Sequence, residues 1–139
     1  MIDFIALCEK LQTDNLGVIG KTITFDTMPI TVSKGLCIRS NISGDEIDYE
    51  IPGLARGTFR LIARAGKHKE GEELLNKAIK SLFIDRPTQI GSMRIRYCRP
   101  LTTPMSFPIS EGNLREFAVN MSICYDFDTT DCPWVRHDS

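Results

Sequence analysis

Histidine is nearly missing from this 139-residue chain: His68 and His137 are the only two. With one in a turn and the other two residues from the C-terminus, no histidine-based triad or zinc set has a basis in the sequence. GxSxG and HExxH are absent as well, which removes the common hydrolase and metalloprotease signatures. Paired cysteines are lacking. The five cysteines, Cys8, Cys37, Cys98, Cys124 and Cys132, are an odd number, widely spaced and without a CxxC; they read as packed thiols in a reducing compartment. No charge of one sign dominates, since the formal net charge is -1 with 25% charged residues, so neither a global basic field nor an acidic tail announces a partner. No apolar run approaches a membrane span. Asp3 and Glu9 interrupt the apolar start MIDFIALCEKL, and no basic start or small-residue cleavage site accompanies it. The expectation is a soluble protein made in a cytoplasm, with no membrane partner.

The residues that are present outline one domain, long enough to bury a core without staples. Phe4, Ile5, Cys8 and Leu11 recur at helical spacing, predicting a helix from Ile2 to about Gln12 that ends at Asn15-Leu16-Gly17. Thr22 to Phe25 and Gly35 to Ser40 read as short strands, the first an edge or irregular one because Met28-Pro29 follows. The acidic stretch NISGDEIDYEIPG reads as a loop. Thr58 to Ala65 alternates Phe59, Leu61 and Ala63 with Thr58, Arg60 and Arg64, the period of a strand with one buried face. After Gly71, Leu74, Leu75, Ala78, Ile79, Leu82 and Phe83 share one helical face. Met93, Ile95 and Tyr97 then alternate with Arg94, Arg96 and Cys98, and Arg115 to Phe127 repeats the pattern over a length unusual for a strand. Between them PLTTPMSFPISEGN, with three prolines, reads as irregular. The predicted order is α-β-β-β-α-β-β. It implies an α+β fold: a largely antiparallel or mixed sheet of four to five strands, two helices on one face, and long loops between strands.

Gly66-Lys67-His68-Lys69-Glu70-Gly71 lies between a strand and a helix, the setting of a phosphate loop. The two glycines have the required spacing, but Glu72 and Glu73 stand where lysine and a hydroxyl should meet polyphosphate. A plain turn is the better reading. Asp45, Glu46, Asp48 and Glu50 lack the ligand spacing and internal glycine of a calcium loop, and neither Cys98 nor Cys124 adjoins a helix start or a histidine in sequence. No catalytic, cofactor or metal residues are therefore assigned. Arg60, Arg64, Arg94 and Arg96 project from the non-core side of their strands and form a basic patch if those strands are neighbours; the plain alternative is a solvated face paired with Glu116 and Asp126. Long loops in a small domain tend to be functional. Those here carry Ile47, Tyr49, Met105 and Phe107, and the tail adds Trp134; such apolar groups suit subunit contacts.

The sequence of an N-terminal helix, a strand pair, GTFRLIARAGKHKEGEELLNKAIKSLF, a short strand, RPLTTPMSFPISEGN and a long final strand ending REFAVNMSICYDF resembles the tail terminator proteins of long-tailed bacteriophages, also called phage minor capsid proteins. The likeness covers about Asp3 to Phe127, giving a domain of residues 1–127 and a C-terminal extension of 128–139. It implies a structural virion protein that forms a hexameric ring on the last ring of tail-tube protein. That ring ends tube polymerisation and presents a surface to the head connector, at the head-proximal end of the tail. DNA passes through without sequence-specific contact. A head-completion or connector protein of the same virion is the alternative. From a different class, a small hydrolase or nucleotide-binding enzyme would be built around Gly66 to Gly71.

Overall fold

A computed structural model of the chain describes residues 2–29, 32–41, 44–108 and 114–130. Helix α1 (Phe4–Thr13) is followed by β1 (Ile23–Phe25), β2 (Gly35–Ser40), β3 (Glu46–Ile47) and β4 (Leu54–Ala65). Helix α2 (His68–Leu82) leads to β5 (Thr88–Ile90), β6 (Met93–Pro100), β7 (Met105–Pro108) and β8 (Arg115–Asp126). The eight strands form one sheet in the order β1-β2-β4-β8-β6-β5, with β3 beside β4 and β7 beside β8. Only β1 and β2 run parallel; every other pair is antiparallel.

The α+β reading stands, with more strands than its four to five. Each extra strand is short or masked by local chemistry. Two-residue β3 lies inside the expected acidic loop and pairs Glu46 with Arg56 and Ile47 with Ala55; two residues carry no periodicity. Strand β7 lies inside the proline-rich connection and pairs only with β8. Proline is tolerated at such an edge because the missing N–H faces outward. Strand β4 begins at Leu54, four residues before the expected start at Thr58, because Gly57 interrupts the apolar alternation.

Helix α1 starts at Asp3, whose Oδ1 accepts a hydrogen bond from the Ala6 amide at 3.2 Å. It ends in a Schellman turn: Asn15 takes φ 62°, its amide reaches the Gln12 carbonyl at 3.0 Å, and the Leu16 amide reaches Leu11 at 3.1 Å. Helix α2 begins at His68, before Gly71, so four of the six residues from Gly66 to Gly71 are its first turn. Gly71 faces Phe117. A Cβ there would overlap the Phe117 ring, so this glycine serves the close approach of α2 to β8.

The core lies between both helices and one sheet face. Leu7 and Leu11 of α1 and Leu75, Ala78 and Leu82 of α2 pack on Phe59, Leu61, Phe117, Val119, Met121, Ile123 and Tyr125. Ile79, expected in this set, is partly buried against it. Phe83 is not on the stripe: it follows the last helical residue and is 49% exposed. One more assignment changes. A register shift between Ile95 and Tyr97 leaves Arg96 as the extra residue, so Tyr97 opposes Cys124 and Cys98 opposes Ile123. The bulge turns Tyr97 to the face away from the helices and Cys98, fully buried, into the core.

Candidate assembly surfaces

The sheet face away from the helices carries residues of even number on β4 and β8. Across the sheet, register places Gly35, Arg64, Glu116 and Phe107 in one row, and Cys37, Ile62, Ala118 and Met105 in the next. Arg39, Arg60 and Asn120 follow, then Thr58, Ser122 and Arg99. Glu46, Arg56, Cys124 and Tyr97 form another row, and Leu54, Asp126 and Arg94 the last. Seven of the chain's ten arginines lie on this face and none of its seven lysines is in a strand.

The four arginines singled out from sequence have different fates. Strands β4 and β6 are not adjacent, because β8 lies between them. Arg64 is buried rather than projecting, at 8% exposure. Its guanidinium donates to the carbonyls of Pro29 (2.8 Å), Val32 (3.2 Å) and Met28 (3.4 Å) and to Glu116 Oε2 (3.4 Å). It thereby fastens the segment before β2 over the small apolar cluster of Cys37, Ile62, Ala118 and Met28. The remaining Nε is buried without a hydrogen-bond partner among the described residues. Arg96 pairs with Asp126 through Nε at 3.2 Å. Arg60 is half-buried and donates to the neutral Asn120 Oδ1 at 3.3 Å. Arg94 is exposed and has no ion pair among the described residues.

The structure adds three arginines to these four. Arg39 follows Cys37 by two in β2, and its Nε donates to the Asp26 carbonyl at 3.0 Å. Arg56, ahead of the expected strand start, pairs with Asp48 at 3.1 Å. Arg99 lies 4.3 Å from the Tyr97 ring centre, on this face only because of the bulge. Alternation in GLCIRS could have found Arg39; nothing local announces the other two.

Of the loop residues, Tyr49 is 94% exposed at the tip of a rigid turn. Asp48 Oδ1 accepts from the amides of Glu50 (2.9 Å) and Ile51 (3.0 Å) while Oδ2 accepts from Arg56. Those backbone bonds, then Arg56, hold the Asp48 carboxyl below its ordinary range. Ile47 and Met105 are half-buried and Phe107 is exposed. Trp134 lies outside the described residues. An apolar groove missed in the sequence, of about 320 Å³, runs between α1 and edge strand β1, lined by Ile5, Cys8, Ile19, Ile23, Phe25 and Pro29.

Nothing at the helix starts resembles a reaction centre. His68 lies edge-on to Phe117 and 3.4 Å from Glu72, and no group of His, Cys, Asp and Glu among the described residues could hold a metal ion. Asp14, in a hollow between the ends of α1 and α2, is occupied by Lys10 at 2.6 Å and by Ser81. No helix among the described residues is long and apolar enough to cross a membrane.

The sequence profile of the bacteriophage tail terminator proteins matches residues 10–127, so the chain belongs to that family and is a structural protein of the phage tail. No curated protein sequence matches it. A chain from the virion of a native gene transfer agent particle superposes with a TM-score of 0.65 at 12% identity, covering 88% of this chain and 92% of its own. It shares the fold. A second solved chain matches 98% of this one at 17% identity with a TM-score of 0.45, over 95% of its own length.

Proposed function

We propose that the protein caps the head-proximal end of the tail tube as a homohexameric ring, ends tube polymerisation and offers the head connector its docking surface. Family membership over residues 10–127 is the observation that carries this reading. The distribution of surfaces is in keeping with it. One sheet face is covered by helices, whereas the other bears arginine, tyrosine and half-buried apolar groups, the composition of a protein interface rather than of a solvated sheet. Arg60 and Arg94, with Arg64 and Arg96 already engaged within the subunit, belong in this reading to the contact between subunits rather than to the channel through which DNA passes. Ile47, Tyr49, Met105, Phe107 and Trp134 contribute to the same contacts. Closure into a ring is how one heterologous interface, repeated, avoids an open filament. The activity is assembly; no turnover and no cofactor are required.

Deleting the gene from its phage and imaging the lysate tests this. Overlong tubes without heads, restored to normal length by added protein that binds at one tube end as a six-membered ring, are the expected result. Normal tails whose heads fail to retain DNA would instead favour a head-completion protein, and normal joined particles would sink both.

A further inference from the structure

We propose that the acidic turn bearing Tyr49 in one copy of this chain seats on the arginine row Arg39 and Arg60, with Arg99 in the adjoining row, of the next copy. The proposal rests on the subunit-contact part of the ring reading and names the two surfaces involved.

The arginine row is a surface left incomplete by its own subunit. Arg39 and Arg60 are direct cross-strand partners, a placement of like charges that costs stability unless something compensates. No carboxylate among the described residues does. Their Nε groups reach a backbone carbonyl and an amide oxygen, and neither side chain, nor that of Arg99, has a carboxylate partner among the described residues. The three carboxylate-paired arginines of the face, Arg56, Arg64 and Arg96, consume Asp48, Glu116 and Asp126.

The turn is incomplete in the opposite sense. Glu46 and Glu50 are exposed and make no ion pair among the described residues, Arg56 opposite Glu46 being engaged by Asp48, and Tyr49 between them is almost wholly in water. The two amide bonds to Asp48 and the clamp to Arg56 hold it in one shape, so little loop entropy is lost when it docks. No ion pair joins it to its own row among the described residues. The β3 ladder pins the turn beside Ala55 and Arg56, at one end of β4, whereas the row crosses the middle of the sheet. Carboxylates without cations on one surface and cations without carboxylates on another, at separate places on one chain, make a heterologous contact that repeats from copy to copy.

Arginine holds phosphate as readily as carboxylate, but the company it keeps here favours a protein partner. A surface that tracks phosphates accepts lysine as a point charge, yet no lysine lies in any strand. Arginine beside tyrosine, with lysine depleted, is the composition of a protein interface. Arg99 over Tyr97 displays within the subunit the kind of packing that Tyr49 would meet from the neighbour.

The test uses two charge-reversed proteins on purified tail tubes, read by cosedimentation and imaging. Arg39→Glu with Arg60→Glu changes the row; Glu46→Lys with Glu50→Lys changes the turn. Each alone should lose ring formation by at least about tenfold in the concentration required, with the free subunit of the turn variant still folding cooperatively although Glu46→Lys sets a like charge opposite Arg56. Mixed in equal amounts they should regain it, because the acidic row of one then meets the basic turn of the other in alternation. Should the row variant fail to fold, the turn variant and Tyr49→Ala carry the same expectation, since their positions are exposed. Ring formation unaffected by the turn variant, or no recovery on mixing two folded variants, overturns the pairing while leaving the capping reading intact. Wild-type protein that forms no ring on tubes overturns both. Normal rings from a row variant that has lost retention of a short DNA duplex would assign the row to DNA and overturn the pairing.

Discussion

The hydroxyl of Tyr125, whose ring is fully buried in the core, donates its hydrogen bond to Asp45, which reaches over Gly57 from the loop ahead of β3. Burial and this carboxylate both hold the tyrosine in its protonated form, raising its pKa well above the ordinary value. A Cβ on Gly57 would occupy the space of the Asp45 carboxylate. Gly57→Ala should therefore expel Asp45 and strand a buried hydroxyl, at a cost of about 1–3 kcal/mol in urea unfolding. Tyr125→Phe, which removes the donor instead and leaves a partly solvated carboxylate, should cost less. Equal stability of Gly57→Ala and wild type would contradict this account.

Arg64 and Arg94 look alike in sequence and should behave oppositely. Arg64 holds three carbonyls of the segment before β2 as well as Glu116. Arg64→Ala is expected to lose about 2–4 kcal/mol, because charged hydrogen bonds around a buried group disappear together. Arg64→Lys should recover only part, lacking the planar fork. Arg94→Ala should stay within about 0.5 kcal/mol. Chemical denaturation of the three variants checks the order.

These two arginines mark how much was legible. Alternation along LARGTFRLIARA and REFAVNMSICYD reveals which face meets the helices, because each strand is half-buried and long enough to count. It cannot reveal which strands are neighbours, and so whether Arg64 and Arg94 share a patch; that depends on β8 inserting between β4 and β6. Nor does it survive an irregular residue. Once Arg96 bulges, Tyr97 and Cys98 exchange faces, and Arg99 joins a surface that counting by twos would deny it. The exposed turn at Tyr49 was visible as a loop, but its rigidity comes from Asp48 bonding two amides and Arg56, a geometry that residue types alone do not fix.

Gly71→Ala sets two effects against each other. Helix propensity favours alanine by about 1 kcal/mol in an exposed interior, whereas the new methyl would overlap the Phe117 ring. Phe117 is only 3% exposed and cannot swing aside into solvent. Overpacking of this kind costs about 1–3 kcal/mol, so the expected outcome is net destabilisation. Pairing it with Phe117→Leu, which makes room, should restore part of the loss; a stabilised Gly71→Ala would show that α2 sits farther from β8.

Cys8 and Cys98 give the fold an alkaline limit. Burial pushes the Cys8 thiol up to about 11, with Cys37 and Glu9 adding to it, and the Cys98 thiol up to about 12. In the unfolded chain both ionise near 9. Below that pH the thiols are protonated in both states and their contribution to stability is complete. Above it the unfolded chain holds fewer protons than the folded one, so stability falls as pH rises toward 11 and 12. Urea midpoints should consequently be level from neutral pH to about 9 and decline beyond it, more steeply in wild type than in Cys98→Ala, whose curve starts lower but bends less. The same burial should keep both thiols silent toward iodoacetamide at pH 8 in the folded protein, with peptide mapping showing modification of Cys8 and Cys98 only after denaturant is added. Native-state alkylation of Cys98 at that pH would mean that β6 opens from β8 far more readily than its ladder and core packing allow.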